Sequence, residues 1–151
     1  ELYDLVAERV AKAVATGATS PTDVAETGGE GAAAGYGGLY SGRGYDAIFE
    51  TSGSPAAFAR AVSLLRPLGS VMALGFIPSV EFGLKQVTFK AAQIMGSIGG
   101  TGEFDRVLGF VARYPELAGQ LVSHRVPYQE AERAFALAAD RGHSMKVLLQ
   151  F

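Results

Sequence analysis

The stretch YDAIFETSGSPAAFARAVSLLRPLGSVMALGF, residues 45–76, constrains the fold most. Its apolar run Ala47-Ile48-Phe49 is bounded by Asp46 and by the turn residues Ser52-Gly53-Ser54-Pro55, which predicts a short strand buried on both faces. Pro55 suits the first turn of a helix. Phe58, Val62 and Leu65 then share one helical face until Pro67 and Gly69 end it, and SVMALGF predicts a second buried strand. Successive strands linked by a helix lie parallel, through a right-handed crossover.

The alternation continues. Val87–Phe89 and Gln93–Gly96 are short apolar stretches, and Glu103–Arg113 predicts a helix with Val107, Leu108 and Val111 inward. Beyond Pro115, LVSHRVPY reads as a strand, QEAERAFALAADRG as a helix closed by Gly142, and MKVLLQF as a last strand. At the other end, a strand end is followed by a helix over Val6–Thr16, with Val6, Val10, Ala13 and Val14 on one face and Gly17 at its C-terminal cap. Residues 20–44, rich in Gly, Ala, Thr and Ser, read as a long mobile loop. The pattern as a whole predicts an α/β fold, a Rossmann-like doubly wound parallel sheet.

The 151 residues, 48% hydrophobic and 19% charged, suffice for one core. A net charge of -2 offers no basic field, which disfavours nucleic acid and membrane surfaces as partners. No apolar run approaches the roughly 18 residues of a membrane span. No basic-then-apolar leader precedes the first helix, so the expected location is cytoplasmic. With no cysteine, and with only His124 and His143 as histidines, the chain has no protein-only metal cluster of its own, and neither histidine has a partner in sequence that would make it a general base. The catalytic and metal-ligating sets are both expected to be empty.

In open parallel sheets ligands bind outside the carboxyl ends of the strands. Asp4, Thr51-Ser52-Gly53 and Leu74-Gly75-Phe76 all stand at such ends. A carboxylate ending the second strand of a dinucleotide unit accepts bonds from the adenosine ribose and repels a 2'-phosphate, favouring NAD over NADP. Asp4 also fits a simpler role, capping a helix that begins at Leu5. GYGGLYSGRG follows no strand and opens no clear helix, so it is a weak phosphate loop.

Taken in order, DLVAERVAKAVATGA, YDAIFETSGSPAAFARAVSLLRPLGSVMALGF, KAAQIMGSIGGTGEFDRVLGFV and SHRVPYQEAERAFALAADRGHSMKVLLQF resemble the carboxyl-terminal half of the medium-chain dehydrogenase/reductase family, nearest its polyol and threonine dehydrogenase branch. The resemblance implies an NAD site in which Asp4 binds the adenosine ribose and Thr51, Ser52 and Gly53 line the cofactor. Leu74, Gly75 and Phe76 would face the nicotinamide end, Gly96, Ser97 and Ile98 the carboxamide, and Lys146 the pyrophosphate. It also implies a partial dinucleotide-binding domain over 1–120 and a segment, 121–151, that returns toward a catalytic domain.

The family's first strand with its GxGxxG loop, and the domain bearing its zinc ligands, have no counterpart in these residues. The chain, which begins on Glu1, is therefore expected to be a fragment, poorly stable and inactive alone. The complete protein is expected to be a zinc-dependent dimer or tetramer acting on a small alcohol or polyol, with zinc held by residues absent here. A zinc-free quinone reductase, an inactive nucleotide-binding or protein-interaction module, and a methyltransferase-like enzyme stand as alternatives.

Overall fold

The computed structural model describes residues 1–19, 44–99 and 102–151. The chain divides into two compact units, Glu1–Pro21 with Gly100–Phe151, and Thr22–Gly99. Helix α1 (Ala7–Ala15) is followed by β1 (Tyr45–Glu50), α2 (Pro55–Leu64), β2 (Leu65–Ala73), α3 (Leu84–Lys90) and β3 (Gln93–Gly96). Next come α4 (Phe104–Arg113), α5 (Pro115–Leu121), β4 (Val122–Pro127), α6 (Ala131–Ala139) and β5 (Lys146–Gln150). The predicted loop at 20–44 lies almost wholly outside the described residues.

In the unit ending at Gly99, β1, β2 and β3 form a parallel sheet in that order, with α2 and α3 as the connections. This is the Rossmann-like α/β arrangement the alternation predicts. Ser54 starts α2 by accepting from the Ala57 amide at 3.3 Å, ahead of Pro55. Phe58, Ala61 and Val62 of α2 and Leu65 and Val71 of β2 form the buried core, with Ile48, Val80, Phe82 and Val87 packed against it. Phe58 meets Phe82 edge to face, ring centres 5.5 Å apart.

Several boundaries and faces differ from expectation. β1 is not buried on both faces: Phe49 is 67% exposed and Glu50 is its one buried residue. The strand is an edge of the described sheet, and apolar composition reports a preference for burial without supplying what would cover it. β2 starts at Leu65, where the helix was expected to continue to Pro67. Leu65 pairs with Tyr45, and the next pair is Ser70 with Ala47. Pro67 has no amide to donate and Leu68 takes φ 66°, so Arg66–Gly69 buckle out and regular pairing resumes at Ser70.

In the other unit β4 and β5 pair in parallel and α6 lies against them, burying Val126 and Ala134. Ser123 ties the strand starts together, accepting from the Met145 amide at 2.9 Å and donating to the Lys146 carbonyl at 3.2 Å. Residues 1–4 form no strand; the Leu2 amide donates to the Thr19 carbonyl instead. Helix α5 was not foreseen. Val107, Leu108 and Val111 are on α4 as expected but none is buried, because helical spacing defines an apolar face and not its partner. No described helix is long and apolar enough to cross a membrane.

Lys90, buried at the end of α3, donates from Nζ to the Val62 and Ser63 carbonyls at 3.2 and 2.7 Å, at the C-terminus of α2. Burial pushes its pKa below 10.5. Between that lowered value and 10.5 the unfolded chain binds the proton more tightly, so this residue makes the fold gain stability as pH rises through the interval. Lys90→Met should remove that alkaline gain and, by leaving two carbonyls without their donor, cost about 1–3 kcal/mol at neutral pH in urea unfolding.

Candidate functional site

The carboxyl ends of the three parallel strands open into the turns after Glu50, Ala73 and Gly96. Register fixes how those ends align: Glu50 pairs with Ala73, and Ala73 with Gly96. Thr51, Ser52 and Gly53, then Leu74, Gly75 and Phe76, then Gly96, Ser97 and Ile98 therefore fall side by side along one edge of the sheet. The Ser97 amide continues the ladder by donating to the Ala73 carbonyl at 3.2 Å.

Glu50 holds the first two turns. It is 5% exposed, and its Oε1 accepts from the Ser52 amide at 2.8 Å and from the Ser52 hydroxyl, while the Gly53 amide lies 3.2 and 3.3 Å from its two oxygens. Its main-chain carbonyl accepts from the Leu74 and Gly75 amides at 2.8 and 2.9 Å. The turns touch where both residues are glycine. Gly53 has φ 71°, and a Cβ on Gly75 would stand 2.2 Å from the Gly53 nitrogen and 2.7 Å from Glu50 Oε2.

With these amides turned inward, the surface of the edge is mostly apolar. Leu74, Phe76 and Ile98 are exposed, Phe76 to 90%. Such a shelf suits the flat face of a ring, and the Ser52, Gly53, Leu74, Gly75 and Ser97 amides are already committed to protein acceptors.

Asp4 and Lys146 belong to the other unit. Asp4 does not cap a helix starting at Leu5. The helix begins at Ala7 with Val6 as its N-cap residue, and Asp4 Oδ1 accepts from the Val6 amide at 2.8 Å one step earlier. Its Oδ2 lies 3.6 Å from Arg9 Nη1, and Arg9 Nη2 donates to the Arg141 and Ser144 carbonyls. Lys146 is exposed at the start of β5. His124 Nδ1 is 3.0 Å from the Ser123 hydroxyl, and His143 pairs with Asp140, whose carboxyl it draws below the usual range through their hydrogen bond. Among the described residues no group of three His, Cys, Asp or Glu side chains could hold a metal ion.

Glu50 escaped the sequence reading, although an acidic residue closing an apolar run just ahead of Thr-Ser-Gly-Ser is a readable sign of a side chain turned back on turn amides.

A parallel sheet with its turns gathered at the carboxyl edge defines a Rossmann-like α/β fold, a class in which ligands bind at that edge. Comparison with known proteins narrows it: the zinc-binding dehydrogenase family matches residues 2–113, and the chain belongs to that family. It is 28% identical over 108 residues to L-idonate 5-dehydrogenase (NAD(P)(+)) of Escherichia coli K12, covering 71% of this chain and 32% of that protein. An alcohol dehydrogenase from Thermotoga maritima superposes with TM-score 0.66 at 31% identity, over 72% of this chain and 31% of its own. A short chain alcohol dehydrogenase from Escherichia coli CFT073, solved with NADH, superposes with TM-score 0.74 at 25% identity, over 98% of this chain and 43% of its own. The chain thus spans between 31% and 43% of the length of these relatives.

The close approach of the turns is directly testable. Gly75→Ala should destabilise the chain by about 1–3 kcal/mol through overpacking, whereas Gly96→Ala, with no heavy atom within 4 Å of the added carbon, should stay within about 0.5 kcal/mol in the same thermal unfolding experiment.

Proposed function

We propose that this chain is the cofactor-binding part of an NAD-dependent oxidoreductase that transfers hydride between an alcohol or polyol and nicotinamide, zinc-dependent in the complete protein. The observation that carries the reading is the alignment of residues 51–53, 74–76 and 96–98 along one carboxyl edge whose exposed surface is Leu74, Phe76 and Ile98. Family membership and the named activities of the similar dehydrogenases support it.

When bound, the nicotinamide would accept or return the hydride. The chain's own part is to bind and orient. Leu74, Phe76 and Ile98 offer apolar surface to the ring, and excluding water from that face favours a defined ring position. Gly96, Ser97 and Ile98 are assigned to the carboxamide, Lys146 to the pyrophosphate and Asp4 to the adenosine ribose, each by family resemblance. Asp4 is suited to its role because a carboxylate has about four acceptor positions and only two contacts occupy it here. Zinc would polarise the substrate oxygen in the complete protein, and the described residues supply no ligand set for it. Residues 1–120 are taken as the dinucleotide-binding part and 121–151 as the segment returning to a catalytic domain. The complete protein is taken as a cytoplasmic dimer or tetramer.

A second reading, a protein-interaction module, draws on the exposure of Phe104, Val107, Leu108 and Phe110 on α4 and of every residue of β3. Titration separates the two. The dehydrogenase reading expects saturable NADH binding with NADPH bound more weakly, and self-association without NADH binding would instead favour the module. Asp4→Asn should weaken NADH by roughly tenfold and narrow its margin over NADPH; unchanged affinity in fluorescence titration would remove the ribose role.

A further inference from the structure

We propose that Glu50 is a positioning residue for the cofactor edge, holding the 51–53 and 74–76 turns in one arrangement from beneath; this rests on the reading of that edge given above. Its side chain takes the Ser52 amide, the Ser52 hydroxyl and the Gly53 amide, and its main chain takes the Leu74 and Gly75 amides. One buried residue thus collects donors from two turns that meet a ligand on their other side.

A carboxyl group is an expensive way to fill a strand end, since burial penalises it unless donors surround it. An apolar side chain would pack there without needing them. What the carboxyl group adds is direction: it turns the Ser52 and Gly53 amides inward, which keeps Gly53 at φ 71° against Gly75 and leaves Leu74 and Phe76 outward on the ligand side. Without the acceptor those amides are free to turn toward solvent, and the shelf loses its fixed shape. Glu50 touches no ligand in this scheme. It acts through the turns it holds.

The test is an NADH fluorescence titration of the full 151-residue chain, of Glu50→Gln and of Lys90→Met, at a temperature where circular dichroism shows all three folded. Lys90 serves as the folding control because it supports the same unit from the C-terminus of α2, the end of that helix remote from Ser54 and the strand ends. Gln keeps the size and one acceptor oxygen, but it removes the charge and sets an N–H against the Gly53 amide in place of Oε2, so Glu50→Gln should raise the NADH Kd roughly tenfold, the worth of one charge-assisted hydrogen bond. Lys90→Met should stay within about twofold of the unsubstituted chain, as expected of a distant site. Equal affinity for Glu50→Gln and the unsubstituted chain overturns the proposal, and so does a parallel loss in Lys90→Met, which would mark Glu50 as merely structural. Should Glu50→Gln not fold, Glu50→Asp, shorter by one methylene and withdrawn from the amides, takes its place with the same expected weakening and the same overturning result. Failure of the unsubstituted chain to bind NADH overturns the cofactor reading and this proposal together, whereas binding that is indifferent to residue 50 overturns the proposal alone.

Discussion

The contact on which the Thr22–Gly99 unit most depends is the convergence of two turns on Glu50. Parallel strands must release their chains at the same edge, and each turn there exposes amides that no strand partner satisfies. Glu50 answers both turns at once because β1 and β2 run in register to their ends, with Glu50 opposite Ala73. Its carbonyl is then within reach of the amides that follow Ala73, and its side chain folds back on the amides that follow itself. The glycines at 53 and 75 are what allow the backbones to approach so closely.

The same unit buries a second charged residue, and the pair show how polar groups are accommodated in a small core. Lys90 supplies donors to the last carbonyls of α2, just as Glu50 supplies acceptors to the turns that precede and face its first residues. Helix and strand ends are where backbone groups go unpaired, and both buried charges are found there. Among the described residues no buried side-chain nitrogen or oxygen is left without a partner. Each charge is thus balanced locally, by chain within its own unit.

Much of this arrangement was legible in the sequence. Ser54-Pro55 announces the start of α2, Phe58 and Val62 announce its inner face, and the turn residues after each apolar run place 51–53 and 74–76 at one edge. These features are local, set by propensity and periodicity. What was not legible depends on partners distant in sequence. Phe49, Val107 and Leu108 carry the same apolar signal as Val62 yet stay exposed, since hydrophobicity says nothing about which surface arrives to cover it. Glu50 and Lys90 look like solvated boundaries in sequence, and only the return of β2 beside β1 and of α3 beneath α2 encloses them. The early start of β2 was hidden for a related reason: Pro67 and Gly69 signal an interruption correctly, but not whether a helix or a strand is being interrupted.

The division of labour along the carboxyl edge follows from where its amides point. A phosphate is held by free N–H groups, and here the amides of Ser52, Gly53, Leu74, Gly75 and Ser97 are all committed to protein acceptors. An edge built this way presents shape and apolar surface, with Leu74, Phe76 and Ile98 outward. On the function proposed above, these turns set the position of a ring, and phosphate binding falls to other parts of the protein. Such positioning requires stiffness more than affinity. A buried carboxyl group and two facing glycines, which hold the two turns in one arrangement, supply that stiffness.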